Sequence, residues 1–145
     1  MRRFLYDTSI FIYALGREHS YREPCREIMR LGGNEDLKGE ASADLLQELA
    51  HQRYRRTGDR QEAAEIAKAA AALCRLHPLE PTDVLRGLDL FETHPRLDAR
   101  DAVFAAVALN REIEAILATD RAFDEVRGLE RIDPADEEAV ATLLG

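Results

Sequence analysis

The chain has 145 residues, 46% of them hydrophobic, and a net charge of −8 at neutral pH; this length predicts a single domain over residues 1–145 whose core needs no disulfide or structural metal. The two cysteines form no CxxC pair, and no apolar run has the length of a membrane span or the features of a signal peptide. We therefore expect a cytoplasmic protein, and its acidic charge argues against a dedicated nucleic-acid coat or a membrane-surface binder.

Apolar segments bounded by turn residues alternate with helical periodicity along the chain, which predicts βα units around a mostly parallel sheet. Ser42 is predicted to be the N-cap of the third helix. The elements predicted for the first half are, in chain order, a strand at 3–7, a helix at 9–15, a helix with Pro24 in its first turn that ends at Gly32-Gly33, a weak strand at 38–41, a helix from Ser42 to about Arg56, and an alanine-rich helix at 61–73.

The second half continues the alternation and contains one helix that is apolar on all sides. That helix, at 102–109, is predicted to pack in the interior rather than on the surface. The elements predicted here are a strand at 75–79, a helix from Pro81 to Phe91 that is stopped by His94-Pro95, the apolar helix, strands at 115–118 and 129–132, and an exposed terminal helix after Pro134.

Asp7 directly follows the first apolar strand and precedes a second apolar run. A buried, unpaired carboxylate is costly, so a residue in this setting is hydrogen-bonded, paired with a cation or bound to a metal. One interpretation makes Asp7 the N-cap of the helix that begins near Ser9. The other gives it a functional role, and three further acids bear on the choice: Glu48, Asp101 and Asp120.

Asp120 follows the strand at 115–118, so it is either a turn residue or, like Asp7, a residue at the ligand-binding edge of a parallel sheet. Glu48 lies at the margin of the apolar stripe of its helix, where it is either an exposed helical residue or part of a cleft. The spacing of Glu48 and His51 also matches a di-iron ExxH motif. Only one copy of that motif is present in a chain that alternates strand with helix, which argues against a di-iron bundle.

Asp101 opens the apolar helix three residues after Asp98, and the pair resembles a capping box with Asp98 as the cap. Because the helix is so apolar, its start must lie near the core, where a carboxylate has few partners. We therefore assign capping to Asp98 and a functional role to Asp101.

If the four acids converge, they cannot all ionise without a compensating cation. Oxygen ligands without Cys or paired His favour Mg²⁺ or Mn²⁺ over Zn²⁺, and such sites commonly serve phosphate chemistry. Three hydroxyl residues are predicted to support the site by hydrogen bonding to water or to the ligands: Thr8, Ser9 and Thr119.

Three segments of the chain together resemble the PIN-domain family, and within it the VapC-type toxins of bacterial toxin–antitoxin pairs: FLYDTSIFIYAL, LLQELAHQRY and RDAVFAAVALNREIEAILATDRAFDEV. The resemblance implies an α/β/α sandwich with a central parallel sheet, Mg²⁺- or Mn²⁺-dependent endoribonuclease activity, and a cognate antitoxin that occupies the active-site groove. It also implies products with 5′-phosphate and 3′-hydroxyl ends. The acidic metal-binding set it implies is Asp7, Glu48, Asp101 and Asp120.

The sequence departs from the family pattern beside the last acid. The family commonly has Ser or Thr two residues before that acid, whereas Ala118 stands there and Thr119 follows it. This departure weakens the supporting role of Thr119, and any role in the site of the extra acids Asp98 and Asp124 stays open.

Because the chain is acidic, RNA must be held by local arginines or by a groove across a homodimer, and single-stranded loops are the expected target. The arginines predicted to contact RNA are Arg53, Arg96, Arg100 and Arg121.

Two other functions remain open from the residues. One is a phosphohydrolase with Asp7 as its nucleophile, although Ser9 stands where such enzymes usually have a second Asp. The other is a binding module of the same fold whose acidic groove receives a basic partner.

Overall fold

Five parallel strands form one sheet in the computed structural model, which describes residues 2–144. The strand order is β3-β2-β1-β4-β5, so the predicted α/β fold with a central parallel sheet is confirmed. The elements are β1 (Leu5–Tyr6), α1 (Thr8–Leu15), α2 (Arg22–Gly33), β2 (Gly39–Ser42), α3 (Asp44–Thr57), α4 (Arg60–Leu73), β3 (Cys74–His77), α5 (Pro81–Thr93), α6 (Ala99–Asn110), β4 (Ala115–Leu117), a 3₁₀ helix (Arg121–Glu125), β5 (Glu130–Ile132) and α7 (Glu137–Ala141).

The chain reverses its direction across the sheet once, and this reversal puts helices on both faces. From β1 through β2 to β3 it moves toward one edge, and with β4 and β5 it builds toward the other. Because crossovers between parallel strands are right-handed, α1 to α4 lie on one face and α5 and α6 on the opposite face. The result is a three-layer α/β/α sandwich in which β1 and β4 are neighbours at the point of reversal.

The first strand lies at the centre of the core, and its side chains are inaccessible to solvent from Phe4 to Tyr6. The ring of Tyr6 crosses β2 at Gly39, where a Cβ atom would lie only 2.0 Å from the ring. Glycine is therefore required at this position by close approach rather than by backbone conformation. The apolar helix α6 packs in the interior as predicted, with Phe104 and Val107 fully enclosed.

One prediction about local structure was wrong. Ser42 is the last residue of β2, and its hydroxyl donates to Asp44, while Ala43 stands at the N-cap of α3 without a side-chain cap. The strand therefore runs one residue further than its polar sequence indicated. The terminal helix α7 is mostly exposed, as predicted, and Val140 is its one buried residue; Leu143, just after the helix, is also buried.

Neither cysteine is paired: Cys25 is a buried free thiol and Cys74 a partly buried one. None of the helices within residues 2–144 is both long and apolar enough to cross a membrane.

Candidate active site

The reversal of strand order brings the first and last predicted acids to one place. Asp7 comes directly after β1, and Asp120 follows β4 three residues after Leu117. The two strand ends are joined by a hydrogen bond of 3.0 Å from the Asp7 backbone N–H to the Leu117 carbonyl. In open α/β sheets, ligands bind in the crevice outside the carboxyl ends of the strands where the order reverses. Both acids lie at that position.

A cleft of about 430 Å³ opens at this edge of the sheet. It contains all four acids and all three hydroxyl residues singled out from the sequence, and it also contains Asp98, whose role was left open. The acids in the cleft come from four separate parts of the chain, and they are Asp7, Glu48, Asp98, Asp101 and Asp120.

Asp7 caps α1, as one of its two interpretations predicted, while its functional role stays a prediction. Its Oδ2 atom accepts a hydrogen bond of 3.2 Å from the Ser9 N–H and thereby caps α1. The same side chain lines the cleft, although only 5% of its surface is exposed. Burial raises the pKa of Asp7 to about 6, helped by the charge of Glu48 and opposed by the hydrogen bonds from Ser9.

Glu48 is held in the cleft by partners on three sides. Thr8 donates from its hydroxyl to Oε2 at 3.2 Å, and Gln52, one helical turn further along α3, donates to Oε1 at 3.0 Å. The guanidinium of Arg100 lies 3.4 Å from Oε1 and supplies a positive charge. These contacts orient the carboxylate toward the sheet edge. The supporting role of Thr8 stays a prediction, and the hydrogen bond to Glu48 is consistent with it.

Asp101 and Asp98 have different surroundings, as predicted. Asp98 caps α6 by accepting the Asp101 N–H at 2.8 Å. The Asp101 carboxyl accepts no hydrogen bond within residues 2–144, and it faces the cleft. Burial, together with the charges of the surrounding acids, first among them Asp7, raises the pKa of Asp101 to about 8. The Asp101 carboxyl therefore keeps its proton to a higher pH than an ordinary aspartate does.

Asp120 is the most exposed of the four acids, and it also caps the 3₁₀ helix through a hydrogen bond of 2.9 Å from the Ala122 N–H. Beside it, Ser9 accepts a 3.4 Å hydrogen bond from the backbone N–H of Thr119. Ser9 thus joins the start of α1 to the end of β4. Thr119 contributes to this link through its backbone N–H, and the supporting role of its side chain stays a prediction.

The arginines predicted to contact RNA are dispersed. Arg100 alone among them lines the acidic cleft. Arg53 lines an adjoining groove of about 530 Å³, where it is already paired with an acid of α4. Arg96 forms an ion pair of 2.9 Å with Glu125, and exposed Arg121 lies outside both cavities.

Sequence reasoning missed four side chains that line the cleft: Ile12, Tyr13, Tyr21 and Gln52. Helical spacing was the available signal for three of them, because each lies four residues after a residue already assigned to the cleft. Tyr21 carried no such signal, since it belongs to the connection between α1 and α2.

His51 lies in the adjoining groove and not in the acidic cleft, so the ExxH pair does not converge there. Asp124 lies outside the cleft in an ion pair with Arg131.

The donor atoms of the cleft fit a hard divalent cation. The acids offer only oxygen, and their mutual repulsion is relieved by positive charge. Within residues 2–144, no three His, Cys, Asp or Glu side chains are already arranged around a common ion position. Mg²⁺ tolerates this arrangement, since it is usually held by one or two carboxylates and completes its shell with waters and substrate phosphates.

The α/β fold and the acidic cleft agree with a match between this chain and a known protein family. The model of the PIN domain family matches residues 4–129. The chain therefore belongs to the PIN-domain family.

Relatives within that family narrow the assignment. Ribonuclease VapC7 from Mycobacterium tuberculosis is 37% identical over 141 residues, which cover 96% of each chain. The structure of VapC20 from the same species, described as a Sarcin-Ricin loop cleaving toxin, superposes with a TM-score of 0.65 at 18% identity, covering 81% of this chain and 89% of that one. VapBC2 from Rickettsia felis, solved with a DNA fragment from its promoter, gives a TM-score of 0.65 at 12% identity, covering 89% and 96%. The sequence relatives place the chain in the VapC group.

Proposed function

We propose that the protein is a Mg²⁺- or Mn²⁺-dependent endoribonuclease and the toxin of a toxin–antitoxin pair. The observation that carries this proposal is the convergence of Asp7, Glu48, Asp101 and Asp120 in one cleft where the strand order reverses. Membership of the VapC group, whose relatives are named as ribonucleases, supports the same activity.

Asp7 and Asp101 are the proposed principal ligands of the cation, and Glu48 and Asp120 complete or orient the site. A cation held by these carboxylates would supply positive charge against the scissile phosphate and would make a water molecule more acidic, and thus a better nucleophile for in-line displacement. Asp7 has one oxygen occupied by the cap of α1, which leaves its other oxygen for the site. Glu48 is oriented by its three partners, so it is suited to hold an attacking water at a fixed angle.

Positive charge is needed along the path of the RNA strand, because the acidic cleft itself repels phosphate. The adjoining groove supplies that charge, since it is lined by Arg55, Arg56 and Arg100 as well as by Arg53, which is already paired. Arg100 lines both cavities and therefore lies where the groove and the cleft meet. We propose that the flanking phosphates lie in this groove, in single-stranded RNA, and that cleavage leaves 5′-phosphate and 3′-hydroxyl ends.

A toxin of this kind acts on RNA in the cytoplasm and is neutralised by a cognate antitoxin. The solved neighbour from Rickettsia felis is such a two-protein assembly. The acidic cleft suits a basic segment of an antitoxin, which would compete with the cation for the carboxylates and would block access of the RNA to the cleft. A homodimer is proposed for the working form, because it would extend the arginine-lined groove.

An RNA cleavage assay tests the proposal. The purified chain is incubated with single-stranded RNA in Mg²⁺ or Mn²⁺, and then with EDTA. Asp7→Asn and Asp101→Asn are compared with Asp89→Asn, which changes an exposed acid of α5 that does not line the cleft. We expect at least a hundredfold loss of cleavage with EDTA and in both cleft variants, and no loss in the control.

Three other outcomes would point elsewhere. Unchanged cleavage in Asp7→Asn or Asp101→Asn would remove these residues from the proposed metal site. Metal binding without any RNA cleavage would favour a binding module of the same fold. Phosphate trapped covalently on Asp7 would favour a phosphohydrolase.

A further inference from the structure

Three aromatic rings form a cluster beside the acidic cleft. Tyr13 belongs to α1, and His19 and Tyr21 belong to the connection that follows it. The Tyr13 ring lies 4.7 Å from the His19 ring and 5.4 Å from the Tyr21 ring, measured between centroids. The rings of His19 and Tyr21 are stacked, with an angle of 13° between their planes. We call these three residues the aromatic cluster.

The aromatic cluster is held rigidly. His19 accepts a hydrogen bond of 3.0 Å at Nδ1 from the backbone N–H of Tyr21. The Tyr21 hydroxyl donates to Asp133 at 3.0 Å, and Asp133 is itself within 3.5 Å of Arg131. The connection between α1 and α2 is thereby fastened to the segment after β5. The rings do not have to be ordered when a ligand arrives, which lowers the entropic cost of binding.

The rings of the aromatic cluster are nevertheless not buried in the core. His19 is exposed, and Tyr13 and Tyr21 are only half-buried and line the same cleft as the four acids. The Tyr13 hydroxyl makes no hydrogen bond within the described part of the chain, residues 2–144. An aromatic surface open to solvent beside the acidic cleft has apolar faces available for a planar ligand.

We propose that the aromatic cluster binds an unpaired base of the RNA, next to the nucleotide whose phosphate enters the acidic cleft. This inference rests on the proposed function, which makes RNA the ligand. The arrangement of the three rings indicates that they bind it by stacking. Bases of single-stranded RNA are splayed out and stack on Tyr and His rings, and stacking tolerates any base. Bases in a duplex have no free face to offer. The aromatic cluster therefore selects single-stranded RNA at the cleft without reading its sequence.

The proposal is tested by a binding measurement that does not depend on cleavage. The Asp101→Asn variant is used as the background so that the RNA stays intact. A fluorescently labelled 12-nucleotide single strand of mixed sequence is titrated, and its anisotropy is compared with that of an abasic strand of the same length. The two probes carry the same phosphates, so the ratio of their Kd values isolates the contribution of the bases.

Stacking on one aromatic side chain tightens binding by roughly 5- to 100-fold. We expect the base-bearing strand to bind roughly tenfold more tightly than the abasic strand. Tyr13→Leu combined with His19→Ala should bring that ratio close to one and leave the affinity for the abasic strand unchanged. Tyr13→Phe, which keeps the ring, should keep the ratio. Tyr54→Leu is the matched control, because Tyr54 lies beneath Arg60 and outside the cleft.

An unchanged ratio in the Tyr13→Leu/His19→Ala variant would overturn the proposal and leave the aromatic cluster as a fastening between α1 and α2. Equal affinity of the background variant for both strands, or no binding of either, would also overturn it. If the double variant does not fold, as judged by its circular dichroism, His19→Ala alone serves, since His19 is exposed; about a threefold fall in the ratio is then expected.

The two proposals can fail separately. A base-dependent ratio in a protein that cleaves no RNA would refute the nuclease and keep the aromatic cluster as a base-binding site. Metal-dependent cleavage without a base-dependent ratio would refute only the aromatic cluster.

Discussion

Replacing Asp101 with asparagine is expected to stabilise the metal-free protein at pH 8, although the same change should abolish its activity. The reason is the crowding of acids in the cleft. Burial and the neighbouring carboxylates raise the pKa of Asp101 from 3.8 to about 8, so the folded state binds this proton more tightly than the unfolded state does. Between about pH 4 and pH 8 the folded state therefore holds more protons, and its stability falls as the pH rises.

The size of the effect follows from the same shift. One pKa unit corresponds to about 1.36 kcal/mol, so the loss relative to low pH reaches about 4 kcal/mol at pH 7 and somewhat more at pH 8. That figure is a ceiling, since the cleft is open to water and counterions, which weaken the repulsion. We expect Asp101→Asn to recover about 2 kcal/mol at pH 8, which corresponds to a rise in Tm of about 5–8 °C, and less than 1 kcal/mol at pH 5.

Thermal unfolding in EDTA, followed by circular dichroism at pH 5 and pH 8, measures this difference. The control is Asp89→Asn, an equivalent change at an exposed position of α5, for which the shift should stay within about 0.5 kcal/mol at both pH values. A Tm for Asp101→Asn that is equal to the wild-type value at pH 8, or that rises equally at both pH values, would refute the reasoning from like-charge repulsion.

Mg²⁺ at 100 times its Kd should stabilise the wild-type protein at pH 8 by about 3 kcal/mol and the Asp101→Asn variant far less, measured by Tm; equal gains would place the ion elsewhere. Gly39→Ala should cost about 1–3 kcal/mol, because the added Cβ meets the Tyr6 ring, and an unchanged urea midpoint would contradict that contact. Arg111→Met should cost about 3–5 kcal/mol, since it leaves buried Asp83 unpaired. Burial opposes ionisation of Asp83, but hydrogen bonds from Arg111 and other donors prevail and lower its pKa to about 2. The stabilisation by this pair should therefore be present above pH 4 and disappear toward pH 2, and a variant whose deficit is the same at pH 2 and pH 7 would speak against the pairing.

The sequence predicted those parts of the fold that follow from chain periodicity. The alternation of apolar runs with helices indicated the parallel sheet, and the wholly apolar stretch of α6 indicated a buried helix. It failed at Ser42, because a serine before a helix has the same local signature whether it caps the helix or ends a strand. Only the parallel pairing of β2 with β3, through Ser42 and His77, decides between the two.

The residues of the candidate site could likewise be predicted from the sequence only in part. Acids that follow strands or open helices could be found from local context, because a charge beside an apolar run is conspicuous. Tyr21 could not, since its place beside the cleft is set by a hydrogen bond to Asp133, 112 residues away in sequence. The pairing of Arg53 with Glu62 likewise depends on how α3 and α4 meet, and no spacing along the chain reveals it.

The folding of α1 and the proposed chemistry use the two oxygen atoms of one carboxylate, that of Asp7: Oδ2 caps the helix and the other is left for the site. Asparagine caps a helix as well as aspartate does, whereas alanine does not, at a cost of about 1 kcal/mol. Asp7→Asn should thus separate charge from helix initiation, while Asp7→Ala would damage both at once. Because Asp7 both begins the first helix and lines the cleft, few substitutions can be accepted at this position. A residue that differs from Asp in size as well as in charge removes the carboxylate from the cleft and also destabilises α1, the helix that carries Thr8, Ser9 and Tyr13.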